Sequence, residues 1–322
     1  MPETQNTPNS PDAFLRSPHA VGIFALLMLG IAMAFVVFSL LDIRVAQRAQ
    51  TSAAATTSDP FTDISIEAKS AIVVDLTTGK TLYELNPDAQ LPLASLTKVP
   101  LILVVSSSLP ADAVITIPYD TAPKGSAQRL AKGERWKVSD VINFTLIASS
   151  NEGAKILASA ADAEVHAQYP ASPLVGATLW RMNDLAKQLG LSHTYFLNVS
   201  GLDESLTQSG AYGSARDVEA IFAYAASTSY AVFAGTAKDG LLLTDEQGGT
   251  TSAFNTNEAL GKIPGLIMGK TGFTDLAGGN LAVVFDIGLA HPVVAVVLGS
   301  SHQGRFTDIQ KLVTAARDAV TQ

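Results

Sequence analysis

The sequence predicts an α+β domain over residues 63–322: an antiparallel sheet formed by both ends of the domain, packed with helices and carrying an inserted, mostly helical lobe. Three observations point there. Short β-branched runs bounded by turn residues occur near residues 70–85 and again at 280–298. The segments between them carry helical spacing of apolar residues, and an amphipathic helix closes the chain. Sequence-distant strands can then join one sheet without a threaded connection. No internal repeat is present.

Ser70–Leu76 and Thr81–Leu85, joined by Thr77-Thr78-Gly79-Lys80, read as a β-hairpin. A helix is expected from Ser95 through Val105, although Pro100 would remove a backbone hydrogen bond and kink it after Lys98. Ser139 reads as the N-cap of a helix ending near Ala148. Further helices are expected at Glu152–Ala161 and Val175–Leu189. Strands follow at Asn280–Asp286 and Pro292–Leu298, then a helix at Asp308–Val320.

Ahead of the domain lies a charge-free run of 22 residues, 20–41. As a helix it would span about 33 Å, enough to cross the hydrocarbon core of a bilayer. The sequence therefore reads as a short cytoplasmic tail (1–19), a transmembrane signal-anchor (20–41) and a flexible linker (42–62) with a reach of about 25 Å. A cleaved signal peptide is the rival, but its apolar region is normally about 7–15 residues, and Ala53-Ala54-Ala55 lies well beyond the run. Arg16 on one flank and Arg44 with Arg48 on the other leave the positive-inside rule nearly tied. The N-terminus is placed inside because the chemistry expected below is extracytoplasmic.

The chain is 47% hydrophobic, carries a net charge of -8 and contains no cationic run, which argues against nucleic acid. It has no cysteine, so disulfides, thiolate metal sites and a thiol nucleophile are excluded. No metal and no cofactor is expected. Gly265–Thr271 imitates a phosphate loop, but the required first glycine falls on Pro264, and at Gly79-Lys80-Thr81 it falls on Val74. Nucleotide binding is rejected.

Three motifs carry the chemistry: Ser95-Leu96-Thr97-Lys98, Ser149-Ser150-Asn151 and Lys270-Thr271-Gly272. No other lysine has a serine three residues before it, and no other asparagine a serine two before it. Ser95 and Lys98 would lie one helical turn apart. A serine hydroxyl needs a base within hydrogen-bond reach, and lysine serves only when neutral, several units below its usual pKa of about 10.4. Burial, a helix N-terminus and a second cation, for which Lys270 is the candidate, all push that way. Ser149 and Asn151 sit in a turn where one could relay a proton and the other hold a substrate amide, although such a turn also serves as a plain cap. Lys270 and Thr271 on an edge strand could bind a carboxylate, while Gly272 lets a substrate backbone approach.

In this order the motifs are the signature of penicillin-recognising serine acyl-transferases. The chain resembles the D-alanyl-D-alanine carboxypeptidases, the low-molecular-mass penicillin-binding proteins that trim peptidoglycan. Ala71-Ile-Val-Val-Asp75, Phe196-Leu-Asn198, Gly201-Leu202-Asp203 and Thr274-Asp275 through Ala277-Gly278 are similar to that family's runs as well. The resemblance covers about residues 66–314 and implies a β-lactamase/transpeptidase-like fold on a single-pass protein of the bacterial cell membrane. It implies that Ser95 forms an acyl-ester with the penultimate D-Ala of a peptidoglycan stem pentapeptide and that Lys98 takes its proton. Ser149 and Asn151 would line the cleft, and Lys270 with Thr271 would bind the terminal carboxylate. The N–H groups of Ser95 and Phe273 would form the oxyanion hole, and β-lactam antibiotics would acylate Ser95.

Two departures stand out. Many relatives carry a C-terminal β-domain and a C-terminal membrane anchor, whereas this chain stops after its last helix and the span at 20–41 is expected to replace that anchor. In addition, no arginine lies between Gly240 and Gly269 to complete carboxylate binding. Three alternatives remain at this stage. An endopeptidase would use the same chemistry, and a tethered penicillin or peptidoglycan binder would need no nucleophile. A class A β-lactamase would need a Glu-x-x-Leu-Asn element, which Glu204-Ser-Leu-Thr-Gln208 does not supply. His193 is read as structural.

Overall fold

The computed structural model of the protein describes residues 59–288 and 290–321, together with 29, 30 and 33. Apart from those three positions, the expected span at 20–41 lies outside the described residues, as does the expected linker up to residue 58. Among the described residues no helix is long and apolar enough to cross a membrane.

The unit from Asp59 onward opens with β1 (Ser70–Asp75), β2 (Thr81–Leu85) and the short β3 (Leu91–Pro92). Next come α1 (Lys98–Ser108), β4 (Val114–Thr116), β5 (Arg135–Lys137), α2 (Val138–Ile147), α3 (Asn151–Gln168) and α4 (Ala177–Gln188). The pair β6 (Tyr195–Phe196) and β7 (Ala211–Gly213) leads to α5 (Ala215–Thr228), α6 (Tyr230–Phe233) and the hairpin β8 (Gly240–Thr244) and β9 (Thr250–Phe254). The chain ends with β10 (Leu266–Thr274), β11 (Gly278–Asp286), β12 (Pro292–Ser300) and α7 (Gly304–Thr321).

Both ends of the domain do build one antiparallel sheet, in the order β10-β11-β12-β1-β2. Its central strands β11, β12 and β1 are buried along almost their whole length and mostly apolar, because each face meets its own layer. Val73, Val283 and Ala295 point toward Ile309, Leu312 and Ala316 of α7. Their neighbours Ile72, Ala282, Val284 and Val296 join the larger core shared with the helical lobe. The pairing Ile72↔Val296 and Val73↔Ala295 keeps these two sets on opposite faces.

The helix expected at Ser95 begins differently. Ala94–Thr97 forms a single 3₁₀ turn and the α-helix starts at Lys98. Pro100 then falls in the first helical turn, where an N–H has no intrahelical acceptor, so the predicted kink has no cause there. Residues Lys98 to Val105 of α1 are all buried, so the helix runs through the core and carries no amphipathic stripe. The short strands β3 to β7 and the one-turn helix α6 have no counterpart in the sequence reading, and neither do two larger features. One is α5, which packs on β1, β11 and β12 and is capped by the Ser214 hydroxyl accepting from Asp217 N at 3.1 Å. The other is the β8–β9 hairpin, which turns at Gly248 with φ +86°.

Candidate active site

The nucleophile candidate sits at a strained corner. Ala94, just before Ser95, has φ +49°, a left-handed conformation that costs a non-glycine residue about 1–3 kcal/mol. The corner is held because the Ala94 carbonyl accepts from Thr97 Oγ1 at 2.7 Å and lies directly against Gly201. A β-carbon at Gly201 would come within 1.9 Å of that carbonyl oxygen, and Gly201 itself has φ +76°. On the other side, a β-carbon at Gly272 would lie 2.9 Å from Leu93 O and 3.2 Å from Ser95 N, so β10 runs hard against the Ser95 backbone. This close approach, more than conformational freedom, is what glycine supplies at position 272.

Lys98 is fully buried, and its Nζ lies 2.7 Å from Ser95 Oγ. The same nitrogen donates to Asn151 Oδ1 at 2.8 Å and to the Ser200 carbonyl at 2.9 Å. Burial pushes its pKa down to about 7. The spacing thus supports the expected pair, and burial is the cause of the shift. The Ser200 carbonyl is held by the Asn198 side chain, whose Oδ1 accepts from Ser200 N at 3.0 Å and Gly201 N at 2.7 Å. Ser200 was not among the expected site residues, because a backbone acceptor leaves no side-chain signature.

Ser149 and Asn151 face the same cleft but serve different lysines. With α2 ending at Ile147 and α3 beginning at Asn151, the chain reverses in three residues, and Ser149 adopts φ +56°. Its hydroxyl accepts from Lys270 Nζ at 2.8 Å. Between them Ser150 is the N-cap of α3, accepting from Gly153 N at 3.0 Å. The Ser-Ser-Asn motif is therefore a capping turn and a cleft wall together.

Lys270 lies on β10, the terminal strand of the sheet, and also donates to Thr271 O at 2.9 Å. Burial, then the charges of Lys98 and Arg305, hold its pKa well below the ordinary lysine value. Thr271 Oγ1 shares a 2.5 Å hydrogen bond with Thr256 Oγ1, and Phe273 lies half open beside the cleft. Arg305, from the first turn of α7, brings a guanidinium beside Lys270-Thr271-Gly272, whereas the sequence between Gly240 and Gly269 offered no arginine. It is buried, donates from Nη1 to the Gly272 carbonyl at 2.7 Å, and lies over the ring of Phe306 at 4.6 Å. Its distance along the chain hid it, since α7 is brought to β10 only by the sheet. His193 lies apart, its main-chain N–H bonded to Asp217 Oδ2 at 2.9 Å and its carbonyl to Gln90 Nε2 at 2.7 Å. Among the described residues no cluster of His, Cys, Asp and Glu could hold a metal ion. Two cavities, of about 580 and 670 Å³, flank Tyr224 and Tyr230, and neither is lined by the cleft residues.

A serine hydroxyl hydrogen-bonded to a buried lysine, with cations and hydroxyls gathered beside an edge strand, is the arrangement of a serine hydrolase. The chain belongs to the D-alanyl-D-alanine carboxypeptidase family, whose model matches residues 53–302. It is 30% identical over 263 residues to the D-alanyl-D-alanine carboxypeptidase DacF of Bacillus subtilis, covering 79% of this chain and 63% of that protein's length. It is 32% identical over 244 residues to a D-alanyl-D-alanine endopeptidase of Pseudomonas aeruginosa, covering 74% of this chain and 72% of the relative. Among solved structures it is similar to penicillin-binding protein D2 of Listeria monocytogenes in its ampicillin-bound form. That match has a TM-score of 0.66 and 28% identity, and covers 79% of this chain and 98% of the other.

Proposed function

We propose that the protein is a serine-type D-alanyl-D-alanine carboxypeptidase that removes the terminal D-alanine of peptidoglycan stem pentapeptides through an acyl-ester on Ser95. The observation that carries this reading is the 2.7 Å contact between Ser95 Oγ and an Nζ whose pKa is pushed to about 7. A neutral amine has two N–H groups and one lone pair. With the N–H groups engaged by Asn151 Oδ1 and the Ser200 carbonyl, the lone pair is left for the Ser95 proton.

Ser95 Oγ then attacks the penultimate carbonyl as Lys98 takes that proton. The negative oxygen is received by the backbone N–H groups of Ser95 and Phe273, which Gly272 brings to adjoining positions. As the C–N bond breaks, the Ser149 hydroxyl passes a proton to the leaving amine and is resupplied from Lys270. Lys270, Thr271 and Arg305 receive the terminal carboxylate, which restores favourable charge to a pocket crowded with cations. The proton taken by Lys98 passes across the cleft to replace the one Lys270 gave up, which leaves Lys98 neutral again. Lys98 then deprotonates the water that attacks the ester, and returns that proton to Ser95 Oγ as the acyl group leaves.

β-Lactams acylate the same serine and leave slowly. Glu204, the residue nearest to a β-lactamase water-activating motif, is exposed and bonded to Asn198 Nδ2. Residues 20–41 anchor the protein in the bacterial membrane as a single span, and residues 42–62 tether domain 63–322 on its extracytoplasmic side; the apolar run supports this. A second reading, D,D-endopeptidase on cross-linked peptides, is favoured by the likeness to the Pseudomonas aeruginosa endopeptidase. Intact-mass measurement after exposure to a penicillin, with Ser95→Ala as control, tests the acyl-enzyme. Comparing D-alanine release from a pentapeptide with cleavage of a cross-linked dimer separates the two activities. No adduct and no D-alanine release would overturn the reading.

A further inference from the structure

We infer that His302 is a positioning residue that aims the Arg305 guanidinium at the substrate's terminal carboxylate, and so sets the preference for a free C-terminus over an amide-linked one. The inference rests on the carboxypeptidase reading above and deepens it. His302 lies in the turn between β12 and α7, one helical turn before Arg305. Its Nε2 is 3.3 Å from Arg305 Nη2. A guanidinium carries only donors, so this contact is a hydrogen bond only if Nε2 offers a lone pair, which puts the imidazole proton on Nδ1.

Arg305 is therefore pinned at two points, Nη1 on the Gly272 carbonyl at 2.7 Å and Nη2 on His302. Two contacts on different nitrogens fix both the direction and the plane of a guanidinium, whereas one alone leaves rotation about it. Each of these nitrogens carries two N–H groups and spends one on its partner, so the guanidinium keeps a second N–H on each for an anion, while its Nε is buried and bonded to no protein atom among the described residues. Burial works against the charge on Arg305 and holds its pKa below the ordinary arginine value. Glu258, held by Gln303 Nε2 at 3.3 Å, favours the charged form, while Lys270 feels Arg305 as a like charge.

The imidazole also meets the Phe273 ring edge-on, with centroids 4.7 Å apart, and Arg305 stands 5.8 Å from the centroid of that same ring. The proposed oxyanion donor is the main-chain N–H of Phe273, placed by the pairing of β10 with β11 (Phe273↔Gly279) and not by its ring, so this brace bears on the cation alone. A substrate whose terminal carboxyl is replaced by an uncharged group gains nothing from an aimed guanidinium. Loss of His302 should therefore weaken only the carboxylate-bearing substrate.

The test uses the full-length enzyme, its His302→Leu and His302→Gln variants, and two thioesters of one N-acyl-D-alanine. The leaving group is mercaptoacetate in one and its uncharged methyl ester in the other. His302→Leu is expected to lower kcat/KM for the mercaptoacetate thioester about tenfold, through KM, and to leave the methyl ester within twofold. His302→Gln, which keeps an acceptor near the Nε2 position, should recover most of the loss. An equal fall on both thioesters would make His302 merely structural, and no change on either would remove its role; both results overturn the inference. If the wild-type enzyme formed no penicillin adduct and cleaved neither thioester, the carboxypeptidase reading itself would fail, a distinguishable outcome.

Discussion

Replacing Lys98 by arginine isolates the proton acceptor from the rest of the cleft. A lysine left in water, with a pKa of 10.5, is neutral in only about one molecule in 3,000 at pH 7, whereas one brought to about 7 is neutral in half. Burial of Nζ therefore enriches the competent base by about 10³-fold, at a cost of about 5 kcal/mol in the stability of the charged form. Arginine cannot be deprotonated in a protein, so Lys98→Arg keeps a cation but removes the base. The second-order rate of penicillin acylation, followed by intact mass from pH 5 to 9, should rise about tenfold per unit in the wild type until about pH 7 and then level off. In Lys98→Arg it should fall by about 10³ or more at every pH. Because arginine is larger than the site, Lys98→Met provides a second variant of similar length with the same expected loss, and thermal melting checks that both fold. Acylation by either folded variant within tenfold of wild type, or a flat wild-type profile through pH 7, would refute the assignment of Lys98 as base.

Three further outcomes follow from the same geometry. The folded-state pKa of Lys98 lies below its unfolded value, so between about pH 7 and 10.5 the unfolded chain binds the extra proton. In urea titrations the wild type should accordingly gain on Lys98→Met by about 1.4 kcal/mol per pH unit from pH 8 to 10, with no trend below about pH 7. Gly201→Ala places a β-carbon 1.9 Å from Ala94 O at φ +76°, and should cost about 3 kcal/mol or more in unfolding free energy while slowing acylation, because the Ser200 carbonyl shifts off Lys98. Ser149→Gly relieves φ +56° but deletes the hydroxyl on Lys270. The melting temperature should hold or rise while D-alanine release falls about 10²-fold, and an unchanged rate would remove Ser149 from the proton path.

Much of the fold was legible because it depends on local patterns. The runs at 70–75, 280–286 and 292–298 are apolar enough to be central strands, and their placement at the two ends of the domain leaves one economical sheet. The motif serines and lysines were legible because acyl transfer with a lysine base demands particular residue types at short spacing. The turn at Ala94–Thr97 was not, since a residue at φ +49° is dictated by packing against Gly201, more than one hundred positions away. α5 was missed because its boundary rests on a single serine cap, a weak signal beside the motifs.

The sequence by itself determined the chemistry: a hydroxyl one turn from a lysine, two polar residues in a helix-to-helix turn, and a lysine, threonine and glycine on a strand. Folding alone decided the charge states and the completion of the pocket. A pKa is set by how much water is removed and by which charges lie close by, and neither is written in local spacing. Arg305, the Ser200 carbonyl and Thr256 reach the cleft from three distant segments, and only the assembled sheet and its packed helices bring them to Lys270 and Ser95.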